Sequence, residues 1–414
     1  MSDQPALQVD EHSVQEIVDS KNVHTFFQPV VSVVTKAIVG FEAFSRGGSD
    51  TLCVIDPKML FHDQLSPRLK VNVDRLCREK ALMQFKPIHS NHKNLLVYVN
   101  INPDILAHVG EGSKVLMHQV ASLDITLENI VLECPACKAH SPGLQEYADM
   151  YRDFGFKLCL DNCHIDDTFG SVMANLKPDF IKVGQSFYAE NQRQDHSSRA
   201  LDGVLSAAEG IGAAVIAQGV ESEEDSLRLL AAGVHLQQGY YYTKDESDTT
   251  GDPAQMFFKK ILDTHDKFKK VKRRILKQKK ARYKAAFKVV SSICSKLSNT
   301  SEAGFEGMCR KMLHASDDVI SLFILNDDGD QITSRHHVES RATGICSASI
   351  LGSHKGADHS IQDYVLYLDM GYDKFVTQPF RSPYTGENAC IISKPVFNKE
   401  GDRYLICIEM PHPG

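Results

Sequence analysis

Residues 25–46 read TFFQPVVSVVTKAIVGFEAFSR, two apolar runs parted only by Val34, Thr35 and Lys36. Runs this close together, rich in Val, Ile and Phe, are expected to fold back on each other as an antiparallel hairpin. Further short apolar runs follow at intervals: LLVYVNIN (95–102), NIVLEC (129–134), KLCLDN (157–162), DFIKV (179–183), AAVIA (213–217) and HLQQGYYY (235–242). Several lack polar alternation, as strands buried on both faces of a parallel sheet do. Helical segments lie between them. SPGLQEYADMYRDFG (141–155) opens on Ser-Pro and stops at Gly155, and SEEDSLRLLAAG (222–233) has Ser222 as a cap, Asp225 three residues on, and a stop at Gly233. Strands alternating with helices in this way predict an α/β fold, a (β/α)8 TIM-like barrel with one antiparallel strand, over residues 21–250. Residues 1–20 are expected to form an N-terminal extension.

Residues 251–300 contain no Gly or Pro after Pro253, and apolar residues from Phe258 to Leu297 recur at spacings of three, four or seven, so one long helix is expected there. The helix is strongly basic. Lys259 to Lys288 holds fourteen Lys or Arg against Asp263 and Asp266, while the whole chain carries −7, so the rest is acidic. No base-reading motif accompanies these charges, which makes a solvated linker face the plainer reading than sequence-specific nucleic-acid binding; a dimerising apolar face is the further option. After residue 300, VISLFILNDDGDQITS and ACIISKPVFNKEGDRYLICIEM each read as strand, turn, strand, predicting a smaller α+β domain over 301–414. Apolar residues at 42% and charged residues at 24% fit a globular chain. No segment nears about 18 uninterrupted apolar residues and no secretory start is visible, so no membrane span is expected and a cytoplasmic location is. An odd count of 11 cysteines, mostly inside apolar runs, suits reduced core thiols.

In a barrel of this kind, chemistry gathers at the C-terminal ends of the strands. Those positions hold Glu42, Asn100, Glu133, Asp161, Lys182, Gln218 with Glu221, and Gln238. A single Glu after a strand is usually a loop contact, but a series of carboxylates and amides around one mouth suits Mg²⁺, Mn²⁺ or Ca²⁺. FFQPVVSVVTKAIVGFEAFSR resembles the opening of EAL domains, with Glu42-Ala43-Phe44 standing for the signature tripeptide and Arg46 two residues later. VNIN, IVLEC, LCLDN, KPDFIKV, VIAQGVES and QQGYYYTKD follow in the family's order. The resemblance implies a barrel that binds the bacterial second messenger cyclic di-GMP and, in active members, hydrolyses it to linear pGpG with two divalent metals, Mg²⁺ or Mn²⁺, with Ca²⁺ permitting binding only. It implies Glu42, Asn100, Glu133 and Asp161 as metal ligands, Lys182, Gln218 and Glu221 at catalytic positions, and Arg46 and Gln238 as ligand contacts.

The chain departs from the active pattern at four places. Asn162 stands for the second of two adjacent Asp residues, Gly184 for an acidic residue two after the lysine, Gln218 for a Glu, and Ala136 for a Glu three after Glu133. An amide oxygen can coordinate a cation, but it brings no charge and takes no proton from water. Two-metal hydrolysis needs both. The expected function is therefore a catalytically impaired EAL domain acting as a cyclic di-GMP receptor or regulatory module, retaining one metal or none. An active phosphodiesterase and a protein-interaction scaffold without nucleotide binding are the alternatives. Asp166 and Asp167 are candidate replacements for the lost carboxylates.

Cys134, Cys137, Cys163 and His164 also follow strand ends and offer a zinc alternative, weakened by the lack of a second Cys-x-x-Cys. The C-terminal domain resembles PAS-like and Cache-like sensor domains in its element order. On that resemblance Tyr364, Tyr367, Arg381, Tyr384 and Thr385 are candidates to line a small-molecule pocket, Arg381 being suited to a carboxylate. The alternative is that the tyrosines pack the sheet and Arg381 is solvated. A homodimer is the expected assembly.

Overall fold

The computed structural model describes residues 11–48, 60–62, 64–102, 113–141, 143–164, 166, 168–188, 194–243, 257–338 and 354–413, with 113–115 and 194–199 as backbone. Two compact units divide the chain, residues 1–272 and 273–414.

In the first unit, strands β1 (Val23–Ser32), β2 (Ala37–Gly47), β3 (Leu96–Asn100), β4 (Ile130–Pro135), β5 (Lys157–Cys163), β6 (Phe180–Val183), β7 (Ala214–Ala217) and β8 (Leu236–Gln237) close into a barrel in chain order. All eight lie on the apolar runs of the sequence. β1 is antiparallel to both β2 and β8, and every other pair is parallel. Helices α2 (Pro67–Asn91), α3 (Ser113–Ala121), α4 (Leu144–Asp153), α5 (Phe169–Leu176), α6 (Gln194–Ile211) and α7 (Glu223–Ala232) make the crossovers. The capping box at α7 forms as the sequence predicts: Ser222 Oγ accepts from Asp225 N, Asp225 accepts from Ser222 N, and Gly233 closes the helix at φ +99°. α4 starts at Leu144 rather than at Ser141, because Gly143 takes a left-handed conformation just before it.

Strand periodicity sorts the barrel residues into two layers. Phe27, Phe41, Val97, Leu132, Leu160, Ile181 and Val215 point outward into the layer beneath the helices. Val30, Leu96, Tyr98, Val131, Cys159 and Ile216 point inward and fill the barrel. Continuing the inward positions by two residues reaches Glu42, Asn100, Glu133, Asp161, Lys182, Gln218 and Gln238 at the strands' C-terminal ends. The polar series is thus the top layer of an otherwise apolar interior. Gly40 is required on β2 because a Cβ there would meet Leu96 O at 2.4 Å.

Helix α1 (Glu11–Asp19) lies in the stretch read as an extension, yet Val14 and Ile17 are buried against Leu69, Val73 and Leu76 of α2. α1 therefore packs as part of the barrel unit. The long helix α8 runs Phe258–Leu297, and 253–256 lie outside the described residues. Its residues enter both cores: Ile261 joins the barrel core, and Val290, Ile293 and Leu297 join the core of the second unit.

The second unit also contains α9 (Phe305–Met312), α10 (Asp363–Asp369) and strands β9 (Ser321–Leu325), β10 (His336–His337), β11 (Phe375–Val376), β12 (Phe380–Arg381), β13 (Asn388–Phe397) and β14 (Arg403–Pro411). They form an antiparallel sheet in the order β10-β9-β14-β13-β11, with β12 also on β13. One sheet face (Leu322, Ile324, Ile392, Ile406) packs on α8 and α9, and the other (Phe323, Ile391, Leu405, Cys407) packs on Tyr364, Val365 and Leu368 of α10. Among the described residues no helix is long and apolar enough to cross a membrane.

Candidate functional site

The top layer of the barrel is organised around a buried lysine. Lys182 Nζ, on β6, donates to Glu42 Oε2 of β2 and Glu133 Oε1 of β4, each at 2.5 Å. Lys182 and Glu133 are wholly inaccessible and Glu42 is 4% exposed. Gln238 Nε2 reaches Glu42 Oε2 at 2.6 Å and Gln28 Oε1 at 2.9 Å, and the Lys182 ammonium lies 5.3 Å from the Tyr98 ring centre. Burial works against the ammonium, but Glu133 and Glu42 outweigh it and hold the Lys182 pKa well above the ordinary range. Burial, reinforced by Glu42, pushes the Glu133 carboxyl well up in spite of Lys182. Asp161 on β5 is also raised, by burial first and then by Glu42, although it is hydrogen-bonded to Gln218.

Three buried acceptors in this layer have no protein partner: Glu133 Oε2, Asp161 Oδ1 and Gln238 Oε1. Buried carboxylate oxygens left this way cost stability, and a hard divalent cation satisfies them. With Glu42 and the exposed Asn100, which pairs with Glu133 across β3 and β4, they are the oxygen donors that such an ion takes. Among the described residues no three His, Cys, Asp or Glu side chains already surround a common point. Lys182 stands where Glu42 and Glu133 would otherwise converge.

Three of the four positions read as departures from the family's active pattern, Asn162, Gly184 and Gln218, lie at Asp161 or at its neighbour Asn162. Gln218 contacts Asp161 directly. Asn162 follows it in a left-handed conformation, φ +52°, at the point where the β5–β6 pairing is interrupted between Leu160 and Cys163. A Cβ added to Gly184 would sit 3.4 Å from Asn162 Oδ1, so these two positions face each other. Asp166 does not replace the missing acids: it is exposed, and its Oδ1 accepts from Thr168 N and Oγ1 at 2.9 and 2.7 Å. Asp167 lies outside the described residues. Ala136 starts the short turn Ala136–Lys138 after β4. Glu221 is exposed in the loop after β7 and is not drawn into the buried cluster.

A cavity of about 540 Å³ opens beside the cluster, lined by Glu42, Arg46, Asn100 and Asp161. Arg46 faces it because residues 42, 44 and 46 share one face of β2. Sequence reading missed the opposite wall, where Asp74 and Arg78 of α2 form a buried ion pair and Lys138 adds a further cation. The signal was available as an oppositely charged i, i+4 pair on an otherwise apolar helix face, Leu69, Val73, Cys77 and Ala81.

The zinc alternative finds no support in the geometry. Cys134 Sγ and Cys163 Sγ each donate to a backbone carbonyl, Cys137 is exposed, and burial pushes the Cys163 thiol up to about 12, away from the thiolate that zinc needs. In the second unit the candidate pocket residues each have local partners. Arg381 is exposed and its Nε donates to Gly386 O at 2.9 Å; Tyr367 stacks on Phe375 and lies against Tyr372; Thr385 Oγ1 accepts from Glu387 N. Arg335, which the sequence reading passed over, is bonded to two strands of the sheet: it donates to Glu409 Oε2 at 2.8 Å and to Ser321 Oγ at 3.1 Å, beneath the rings of Phe323 and Tyr384. Tyr364 is buried and bonded to His359.

Comparison with known proteins agrees with this architecture. The EAL-domain protein YkuI of Bacillus subtilis is 22% identical over 320 residues, covering 75% of this chain and 76% of its own length. Its crystal structure, a complex with substrate c-di-GMP and calcium, superimposes with a TM-score of 0.77 over 98% of both chains at 19% identity. The cyclic di-GMP phosphodiesterase TpdA of Vibrio parahaemolyticus is 20% identical over 224 residues, covering 54% of this chain and 37% of its own length. The EAL domain of Xanthomonas citri FimX in complex with c-diGMP superimposes with a TM-score of 0.51 over 57% of this chain and 94% of its own. The EAL domain profile matches residues 11–245, and the chain belongs to the EAL domain family.

Proposed function

We propose that the barrel is a receptor for cyclic di-GMP that binds the dinucleotide through one divalent cation and turns it over slowly or not at all. The observation that carries this reading is the asymmetry of the mouth. Glu42, Glu133 and Asp161 remain, two of them with unpartnered buried oxygens, while the amides and glycine that replace acids all lie around Asp161. A cation held by Glu42, Asn100, Glu133 and Asp161 would draw in a phosphate oxygen and neutralise its charge. Arg46 lines the same cavity, and its guanidinium suits the phosphodiester. Lys182 fixes Glu42 and Glu133, and Gln238 orients Glu42 further. At the positions beside Asp161 that would supply the second charge or accept a proton from water, Gln218 and Asn162 are amides and Gly184 has no side chain.

The second unit is proposed to act as a PAS-like or Cache-like sensor. This rests on its sheet order, with the first and last strands side by side at the centre and a helix over one face. The test of the receptor reading is calorimetric titration with cyclic di-GMP in Ca²⁺, for the parent and for Glu42→Ala, with a product assay in Mg²⁺ or Mn²⁺. Saturable heat that Glu42→Ala abolishes, without linear product, is the expected result. Absence of heat for the parent would refute it and leave the interaction scaffold.

A further inference from the structure

The basic stretch of α8 is not only a solvated helix face. Lys280, Lys284 and Lys288 follow one another at i, i+4 and i+8, about 6 Å apart along the axis. With Tyr283 and Phe287 they line an open groove of about 500 Å³. A second cavity, about 290 Å³, continues from Phe287 and is walled by Lys374, ahead of β11, and Lys394 of β13. Five lysines from three elements therefore face one trough, with Asp373 as the acid lining it. Among the described residues none of the five has a carboxylate within ion-pair distance, so the trough presents more positive charge than its own acid, Asp373, can offset. The floor is aromatic: the Tyr283 and Phe287 rings stack with centres 6.0 Å apart, and Lys374 Nζ lies 4.2 Å from the Phe287 ring centre.

We propose that this trough binds single-stranded nucleic acid, without sequence preference, through its phosphodiester backbone. The lysine row offers cations at regular intervals to an extended polyanion, and the half-buried Tyr283 and Phe287 rings offer aromatic surface for contact with its bases. An acidic peptide would satisfy the lysines and leave the rings unused. The trough lies wholly in the second unit and is independent of the barrel mouth.

The test is fluorescence anisotropy of a labelled oligodeoxythymidine titrated with the full chain between about 50 and 200 mM salt. Five phosphate contacts predict a slope of log affinity against log salt of about −3.5, at about −0.7 per contact. Lys280→Gln/Lys284→Gln should lower the slope by about 1.4, and Tyr283→Leu, which keeps the packing, should weaken binding by about fivefold or more. Circular dichroism checks that each variant is folded. Absence of saturable binding at low salt, or binding that these variants leave unchanged, would overturn the proposal. So would poly-glutamate or phosphatidylglycerol vesicles binding as tightly as the oligonucleotide, with Tyr283→Leu neutral throughout.

Discussion

Replacing Lys182 by Met tests the central geometric claim, that one ammonium holds two buried carboxylates in place. Met is close in volume and carries no charge, so the change isolates the electrostatics. Glu42 would keep its bond from Gln238 at 2.6 Å. Glu133 would keep nothing: Oε2 already has no partner, and Oε1 would lose its 2.5 Å bond. Removing one partner of a buried pair costs about 3–5 kcal/mol, because the remaining charge is left uncompensated. At a urea m-value of about 2–3 kcal/mol/M this lowers the midpoint of the barrel transition by about 1–2.5 M. With no tryptophan in the chain, far-UV circular dichroism is the suitable probe. Lys182→Met/Glu133→Gln should recover much of the loss, since it removes the orphaned charge as well. Ca²⁺ should raise the midpoint of Lys182→Met more than that of the parent, because a cation can take the ammonium's place between the carboxylates. A single variant within about 0.5 kcal/mol of the parent, or a double variant less stable than the single one, would refute the reasoning.

Asn162→Asp/Gly184→Asp/Gln218→Glu should bring measurable linear-dinucleotide release in Mn²⁺ while the parent shows little. Gly184 has φ −84° and room for a side chain, so the loop should accept the change; binding without turnover in this variant would mean the lost acids are not what limits hydrolysis. His359 is held below its ordinary pKa of 6.5, by burial first and by Arg335 second, with Asp358 opposing. The unfolded chain therefore takes up this proton first. The stability contributed by neutral His359 is complete above pH 6.5 and falls away as pH drops toward the lowered folded value, so His359→Gln should flatten the acid side of the second unit's denaturation profile. Superimposable profiles would count against a buried neutral imidazole. Gly239, at φ +155°, leaves a Cβ only 2.2 Å from Val220 N, so Gly239→Ala should cost at least about 1–3 kcal/mol and displace the adjacent Gln238 from Glu42. Unchanged thermal midpoint and ligand affinity would contradict that.

The strands and the polar series could be read from the chain because both follow local rules. Apolar runs, turn residues and capping boxes act within a few positions, and strand alternation carries an inward face from Val131 to Glu133 or from Cys159 to Asp161 without reference to the rest of the molecule. The order of motifs then indicated the barrel. What local rules leave open is which of these side chains meet. Lys182 bonds Glu42 from 140 residues away, and that contact exists because barrel closure brings β2 and β6 to one mouth. Arg78 and Asp74 read as ordinary helix polarity until α2 is laid against the cavity wall, and Arg335 was passed over in favour of Arg381 because nothing near it in sequence marks Ser321 or Glu409 as its partners. By itself the sequence determined the barrel and its polar rim. Only the tertiary structure decided that Lys182 sits between two rim carboxylates and that lysines from α8, β13 and the segment before β11 share one aromatic trough, because such convergence depends on chain closure over long separations rather than on spacing.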